Sequence, residues 1–184
     1  MKNYNFLPLR KNITDVIKES QMKLGFSKND ALLNYPAESL NNLLGENLTT
    51  DELSDVLEIF CDSVENDLGR IKISLKDGVF CFVIPEKGVS FINDNVPPEP
   101  FLSDFLKLLK SGKQVTISDI LDVFHKYSNN VECIETDNDE FNYLVYFRDG
   151  VPDSYRYCID IDFGFATYHR LTTSDFNSMG FDFG

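Results

Sequence analysis

The residues best suited to chemistry lie close together near the end of the sequence: Cys158, Asp160, Asp162 and His169. A thiol beside an imidazole is the pair used by cysteine nucleophiles, and carboxylates with an imidazole can hold a metal ion. His169 is one of only two histidines in the chain. Whether these side chains share one face depends on how the strands that carry them are paired.

The first possible pairing has a two-residue turn at Phe163-Gly164. Cys158 then lies opposite His169, and Asp160 lies on the same face of the sheet. This arrangement predicts a small hydrolase or transferase that uses His169 with Cys158 or Asp160. It requires a left-handed backbone conformation at Phe163, which costs a residue other than glycine about 1–2 kcal/mol.

The second possible pairing has a type I turn, with Gly164 in the left-handed position of a G1 bulge. Tyr157 then lies opposite His169 on a largely apolar face, while Cys158 and Asp160 lie on the other face. We favour this pairing because glycine takes the left-handed position and because apolar and polar residues separate onto different faces. It predicts that His169 is a histidine at the edge of the core, hydrogen-bonded to a tyrosine hydroxyl or a backbone carbonyl.

A third possibility is a small-ligand pocket between the sheet and the helices, because such pockets are mostly apolar with a few polar groups. Tyr143, Tyr146 and Tyr157 would line it, with His169 and Arg170 as further contacts. The sequence has no Walker motif, no dinucleotide fingerprint and no nucleophile-elbow motif. We therefore predict no cofactor and no metal site.

These candidate residues belong to the second of two predicted β-meanders. It covers 131–171 and contains three runs rich in aromatic and β-branched residues, separated by turn residues. The first meander covers 70–93 and contains Asp77-Gly78, a strong signal for a two-residue hairpin. We expect it to end with a strand over 89–92. Its middle strand is apolar at consecutive positions, which predicts that both of its faces are covered.

About five helices are predicted to pack on the buried face of the sheet or sheets. A helical N-terminal part covers 9–68, and further helices lie within 101–127. The clearest helix start is Thr49, where Glu52 completes a capping box, and a similar signature opens at Thr116. The predicted fold class is therefore α+β, with antiparallel sheets built from two meanders.

Length and charge limit the possible partners. With 184 residues, 1–184 is expected to be a single α+β domain. The chain has 17 Lys and Arg residues against 30 Asp and Glu residues, a net charge of −13. Because phosphate groups are bound by clustered cations, this balance argues against nucleic acid and anionic membranes but is compatible with a basic protein partner.

The sequence also predicts a cytoplasmic protein. No apolar run approaches the ~20 residues that span a bilayer, and Met1 is not followed by the apolar segment of a secretory signal. The cysteines are widely spaced and without a Cys-x-x-Cys pattern, so we expect them to be free and to behave as small buried hydrophobic residues.

Several short segments together carry a family pattern. They are Lys23-Leu24-Gly25, Asn34-Tyr35-Pro36, Ser39-Leu40-Asn41, Phe80–Pro85, Phe141–Phe147, Tyr157-Cys158 and Tyr168-His169-Arg170. With these segments the chain resembles an uncharacterised family of small bacterial proteins known only as a domain of unknown function, from about Asn3 to Phe181. The resemblance implies a bacterial, intracellular, stand-alone domain, and it implies no activity, substrate or catalytic residue.

These observations favour a non-catalytic protein-interaction module, such as an adaptor or an immunity-type protein, that binds a basic partner. The acidic balance, the two histidines and the shortage of nucleophile–base pairs support this hypothesis. The small hydrolase or transferase and the small-ligand binding protein are the alternatives.

Overall fold

The computed structural model of the chain describes residues 3–137 and 139–180. These residues form seven helices and two antiparallel sheets of three and four strands, which confirms the predicted α+β class. The chain divides into two compact units, Met1–Pro98 and Glu99–Gly184. The single-domain organisation stays a prediction, and each unit is described by itself.

The first unit contains four helices and three strands. They are α1 Leu7–Leu24, β1 Ala31–Pro36, α2 Ala37–Leu44, α3 Thr50–Leu68, β2 Lys72–Lys76, β3 Val79–Ile84 and α4 Glu86–Asn95. The strand order is β1-β3-β2 with both neighbours of β3 antiparallel to it. The β2–β3 hairpin turns at the predicted Asp77-Gly78, which places Ile73 opposite Phe82 on the face that packs against the helices.

Residues 89–92 are the main correction to the first meander, because they lie in α4 and not in a strand. The N–H of Val89 donates to the carbonyl of Pro85 at 3.2 Å, and Val89 and Ile92 bury one side of the helix. A short apolar run fits a strand or a helix equally well by periodicity. The third strand is β1 instead. The second face of β3 is half-buried, less than the predicted coverage.

Helix α3 begins at the capping box predicted from the sequence. The Thr49 hydroxyl accepts the N–H of Glu52 at 3.3 Å, and the Glu52 carboxylate accepts the N–H of Thr49 at 2.9 Å. Its apolar stripe is buried in the core shared with β3 and consists of Leu53, Val56, Leu57, Phe60, Val64 and Leu68. Along another edge of the same helix, Glu58, Asp62 and Glu65 are exposed.

The second unit contains three helices and a four-stranded meander. The elements are α5 Pro100–Leu109, α6 Ile117–His125, β4 Val131–Glu135, β5 Tyr143–Phe147, β6 Arg156–Asp162, β7 Phe165–Leu171 and α7 Thr173–Ser178. Neighbouring strands pair in chain order, as the sequence predicts. The predicted cap at Thr116 is confirmed, since its hydroxyl accepts the N–H of Asp119 at 3.3 Å. From Ser174 onward the sequence predicts at most one helical turn and a tail rich in Phe and Gly, of which 181–184 lie outside the described residues.

An aromatic cluster fills the space between α5, α6 and one face of this sheet. The ring of Tyr157, fully buried, lies edge-on to Phe101 and Phe105 with 5.6 Å between centroids in each case. Phe124 contacts it at 5.3 Å, and Tyr168 from β7 reaches Phe105 at 5.0 Å. This face of β6 and β7 is therefore the core face of the second unit.

The β6–β7 hairpin has the two-residue turn, so the favoured bulge register is wrong. Phe163 and Gly164 both have positive φ, 48° and 81°, which is the signature of a type I′ turn. In this register Cys158 lies directly opposite His169. The turn is held by a hydrogen bond from the N–H of Val115 to the carbonyl of Gly164 at 2.8 Å.

Packing explains why the strained turn prevails. The bulge would place His169 in the aromatic cluster and turn Tyr168 away from it. The observed register packs the half-buried Tyr168 ring against Phe105 and leaves the imidazole exposed to solvent. Packing of this aromatic ring, together with hydration of the imidazole, offsets the ~1–2 kcal/mol strain at Phe163.

Candidate functional site

The sheet face opposite the aromatic cluster carries the predicted chemical residues. Cys158 and His169 are directly opposed on β6 and β7, and Asp160 lies on the same face. His169 is exposed rather than at the core edge. Arg170 is on the aromatic face, and its guanidinium lies 4.3 Å from the centroid of the Tyr155 ring. The structure therefore separates Arg170 from Asp160, which the bulge register would have put on one face.

Cys158 and His169 line one cleft, whose volume is ≈ 450 Å³. Phe141, Leu171 and Met179 supply its apolar surface, and Glu140 completes its lining. Cys158 is only 3% exposed and packs in a small core cluster with Phe141. The thiol is therefore a deep group of the cleft, while the imidazole is an exposed one. We call this depression the thiol cleft.

The electrostatics of the thiol cleft disfavour cysteine nucleophilic catalysis. Burial, followed by the negative charge of Glu140, raises the pKa of the Cys158 thiol to about 11. A reactive cysteine needs the opposite shift, because the thiolate is the nucleophile. At neutral pH the Cys158 side chain is therefore a neutral thiol that can take part in binding but attacks carbonyl groups poorly.

The other acidic residues of this region do not complete a metal site. In the described ranges, 3–137 and 139–180, no three His, Cys, Asp or Glu side chains are placed to hold a metal ion. The cysteines are unbridged: Cys158 is buried, whereas Cys61, Cys81 and Cys133 are half-buried.

The three tyrosines considered for a ligand pocket do not share one. Tyr143 and Tyr157 project to the aromatic face of the sheet, while Tyr146 projects to the opposite face, beneath the guanidinium of Arg156 at 3.7 Å from its ring centroid. Tyr157 is fully buried and donates its hydroxyl hydrogen bond to Asp153 at 2.6 Å. Tyr157 is thus part of the core and cannot contact a ligand without unpacking it.

A second candidate site lies in the first unit, between α3 and β2. It is a groove of ≈ 640 Å³, which we call the α3–β2 groove. Leu57 and Phe80 are buried in its floor, Ile73 and Leu75 line it from β2, and Leu75 remains 45% exposed. Sequence reasoning did not identify this site.

One wall of the α3–β2 groove is acidic. Glu58, Asp62 and Glu65 project from α3 into it, and within the described part of the chain none of these carboxylates makes an ion pair or a hydrogen bond. These negative charges affect a neighbouring group. Burial, followed by the charges of Asp62 and Glu58, raises the pKa of the Cys61 thiol to about 11. Arg70 also lines the groove. The spacing of the three acids along one helix was the signal available in the sequence.

The other wall is an open sheet edge. Among the described strands, the order β1-β3-β2 leaves one side of β2 without a neighbour, so alternate N–H and C=O groups of Lys72–Lys76 point outward. Lysines often protect such edges. On β2, however, Lys72 and Lys76 project from the face opposite Ile73 and Leu75, which leaves the groove side of this edge uncovered.

The fold defines the chain as a small α+β protein with two separate antiparallel sheets. The chain belongs to the DUF3877 family, described as a domain of unknown function from an E. rectale gene description, whose profile matches residues 6–180. This confirms the resemblance to a family known only as a domain of unknown function. No curated protein and no solved structure matches the chain. None of the helices in the described ranges combines the length and hydropathy needed to cross a bilayer.

Proposed function

We propose that this protein is a non-catalytic interaction module, of the adaptor or immunity type and cytoplasmic, whose α3–β2 groove binds an extended cationic segment of a partner protein. The observation that carries the proposal is the row of carboxylates on Glu58, Asp62 and Glu65 beside the open edge of β2, which have no ion-pair partner in the part of the chain that the structure describes. Each feature supplies a different part of the recognition.

The backbone of the partner would extend the sheet. An exposed edge strand recognises an extended peptide by main-chain hydrogen bonds, while alternate side chains provide specificity. A strand added to β2 would lie about 4.8 Å from it. Half of the side chains on this added strand would then face α3, and the other half would face away from the groove.

The acidic row fits the repeat of such a strand. At about 1.5 Å per residue, Glu58 and Asp62 are roughly 6 Å apart along the helix and Asp62 and Glu65 roughly 4.5 Å. Side chains on one face of a strand recur about every 6.7 Å. A lysine or arginine at alternate positions therefore finds a carboxylate within reach of its flexible side chain.

Apolar contact contributes alongside charge. A lysine side chain can lay its methylene groups on Ile73 and Leu75 while its ammonium group reaches the α3 carboxylates. Exposed ion pairs contribute only about 0.2–1 kcal/mol each. We therefore expect the charges to set orientation and association rate, with backbone pairing and apolar burial supplying much of the remaining affinity.

The hydrolase or transferase alternative has weaker support. It requires a thiolate or a carboxylate activated beside His169, and the high pKa of the Cys158 thiol runs against the first of these. Binding of a cation in the acidic groove requires no activated nucleophile. We therefore prefer the binding function.

The test is a titration with a labelled peptide that alternates lysine and threonine, followed by fluorescence anisotropy. The groove variant Glu58→Gln/Asp62→Asn/Glu65→Gln is expected to bind about 5–30-fold more weakly, from the loss of about 1–2 kcal/mol in ion pairs. A peptide of the same composition with its lysines in one block is expected to bind more weakly to the wild-type protein, because it cannot match the alternating repeat.

A matched charge control separates the groove from the general acidity of the chain. The variant Asp55→Asn/Asp94→Asn/Asp122→Asn removes the same number of charges at exposed positions outside the groove. It is expected to keep nearly the wild-type affinity. An equal loss in the two variants, or no binding of the alternating peptide, would overturn the proposal. Binding that depends on protein self-association, detected by sedimentation, would assign the edge to a second copy of this chain.

A further inference from the structure

The second unit carries a separate site that the proposed interaction does not use. We propose that the thiol cleft binds a small apolar amine, one or two rings in size, with its ammonium group toward Glu140 and its apolar body on Phe141 and Leu171. The site is formed by β6, β7, the segment before β5 and the residue after α7.

The first observation is a buried thiol in the lining of the cleft. Only 3% of Cys158 is exposed. Its thiol nevertheless lines the cleft, and it makes no hydrogen bond within the described residues. A free cysteine packs as a small hydrophobic side chain and keeps a weak S–H donor. A thiol is a weak donor and a weak acceptor, so it can lie against an aromatic ring or accept a hydrogen bond from a bound ligand.

The second observation is the imidazole beside that thiol. His169 makes no hydrogen bond or ion pair within the part of the chain that the structure describes, although it lines the same cleft. Directly opposed side chains on antiparallel strands have Cβ atoms about 4.5–5.5 Å apart. The two groups therefore offer a ligand two adjacent polar contacts beside the apolar side chains of the cleft.

The size and walls of the cleft define the ligand further. Its volume of ≈ 450 Å³ lies within the range of about 300–1,000 Å³ typical of small-molecule sites. Phe141 supplies an aromatic surface, Leu171 an aliphatic one, and Met179 a flexible thioether that packs well on aromatic rings. These contacts suit a flat apolar molecule.

The charge around the cleft selects a cation over an anion. The Glu140 carboxylate lines it and lies near enough to the Cys158 thiol to raise its pKa, second in effect to burial. Asp160 and Asp162 project from the same face of β6. Arg156, which shares this face, is stacked on Tyr146. A carboxylate-bearing ligand would be repelled, whereas an ammonium group gains a partner at Glu140.

The absence of tryptophan from the chain provides a direct assay. Tryptamine has an indole ring and an ammonium group, and its fluorescence can be excited without a tryptophan background. We expect saturable binding with a rise in indole anisotropy, and at least tenfold weaker binding of indole-3-acetate, which has the same ring and the opposite charge. Failure of tryptamine to bind, or equal binding of the two molecules, would overturn the proposal.

Two variants locate the bound molecule. Glu140→Gln is expected to weaken tryptamine binding about two- to fivefold, as the loss of one exposed ion pair predicts. Glu135→Gln, an exposed residue at the end of β4 that projects from the other face of the sheet, is the matched control and is expected to leave binding unchanged. Equal effects of the two changes would contradict a site at Glu140.

Protection of the thiol gives an independent readout. In the variant Cys61→Ala/Cys81→Ala/Cys133→Ala, Cys158 is the remaining thiol, and saturating tryptamine is expected to slow its alkylation several-fold. An unchanged rate would place the ligand elsewhere and refute the site. The variant of the α3–β2 groove should bind tryptamine as the wild-type protein does, so the two proposals succeed or fail separately.

Discussion

Replacing Phe163 by asparagine should stabilise the protein, although it removes an aromatic side chain. Phe163 occupies the first central position of the β6–β7 turn with φ of 48°, and it is 86% exposed. The ring therefore contributes little burial, while the backbone carries left-handed strain. Asparagine is the residue that two-residue type I′ turns prefer at this position.

The expected gain in stability follows from the backbone strain that is relieved and the few ring contacts that are lost. A left-handed conformation costs an ordinary L-residue about 1–2 kcal/mol, and asparagine less because its side chain hydrogen-bonds locally. After a small loss of ring contacts, we expect Phe163→Asn to raise the free energy of unfolding by about 0.5–1.5 kcal/mol. The corresponding rise in Tm is about 1–6 °C for a chain of this size.

The assay is urea unfolding followed by circular dichroism, with Phe165→Asn as the matched control. Phe165 is also exposed, at 74%, but it lies in regular β7, where asparagine is disfavoured by up to about 1 kcal/mol. The same chemical change should therefore have opposite signs at the two positions, with unchanged m-values. If Phe163→Asn destabilises the protein as Phe165→Asn does, the turn is not left-handed at Phe163 and the pairing of Cys158 with His169 is wrong.

Three further changes test local features of the structure. Thr49→Ala removes the hydroxyl that caps α3 and is expected to lower the free energy of unfolding by about 1 kcal/mol in urea titrations, whereas unchanged stability would contradict the cap. Hydrogen bonds, of which the one from Lys126 has the largest effect, hold the pKa of the Asp104 carboxyl well below its usual range. The ionised carboxylate therefore stabilises the folded protein fully above the unfolded-state pKa of about 4, and this contribution is lost as the pH falls toward the pKa of the folded state. The stability difference between wild type and Asp104→Asn should therefore shrink on acidification below that pH, and a difference that widens would contradict the sign. Alkylation of Cys158 in the native protein, with the other cysteines replaced by alanine, should be slow at neutral pH and should then accelerate about tenfold per pH unit until the pH nears the thiol pKa of about 11. A plateau already at about pH 8.5, or fast modification at neutral pH, would show a thiolate that this structure does not support.

Local sequence signals predicted the parts of the fold that depend on neighbouring residues. The capping boxes at Thr49 and Thr116 mark helix starts because each is completed within a few residues. The Asp77-Gly78 hairpin is set by the backbone freedom of its own turn. These features need no knowledge of the tertiary packing.

The errors arise where packing between distant segments decides. The short apolar run at 89–92 suits a strand or a helix, and it becomes helix α4 while β1 takes the vacant side of β3. In the β6–β7 hairpin, the local cost at Phe163 favours a bulge. Packing of the half-buried Tyr168 ring against Phe105 of α5 and Tyr157 of β6 offsets that cost, and the sequence does not reveal these contacts.

The candidate sites also combine features that the local sequence reveals with features that depend on the pairing of distant segments. Cys158 and His169 were identified from the sequence, but their side of the sheet was not, because a shift of one residue in the pairing moves every side chain to the other face. The row of Glu58, Asp62 and Glu65 is visible in the sequence of α3. Its meaning depends on β2 being an edge strand, which follows from the pairing of β1 with β3.

Amide hydrogen exchange with the alternating lysine–threonine peptide tests the interaction at the α3–β2 groove most directly. The outward N–H groups of β2 should exchange more slowly when the peptide is bound, and those of β1, the other edge of the same sheet, should not change. The effect should disappear in the variant that neutralises Glu58, Asp62 and Glu65. Unchanged exchange in β2 at saturating peptide, or equal slowing in β1, would contradict strand addition at this groove.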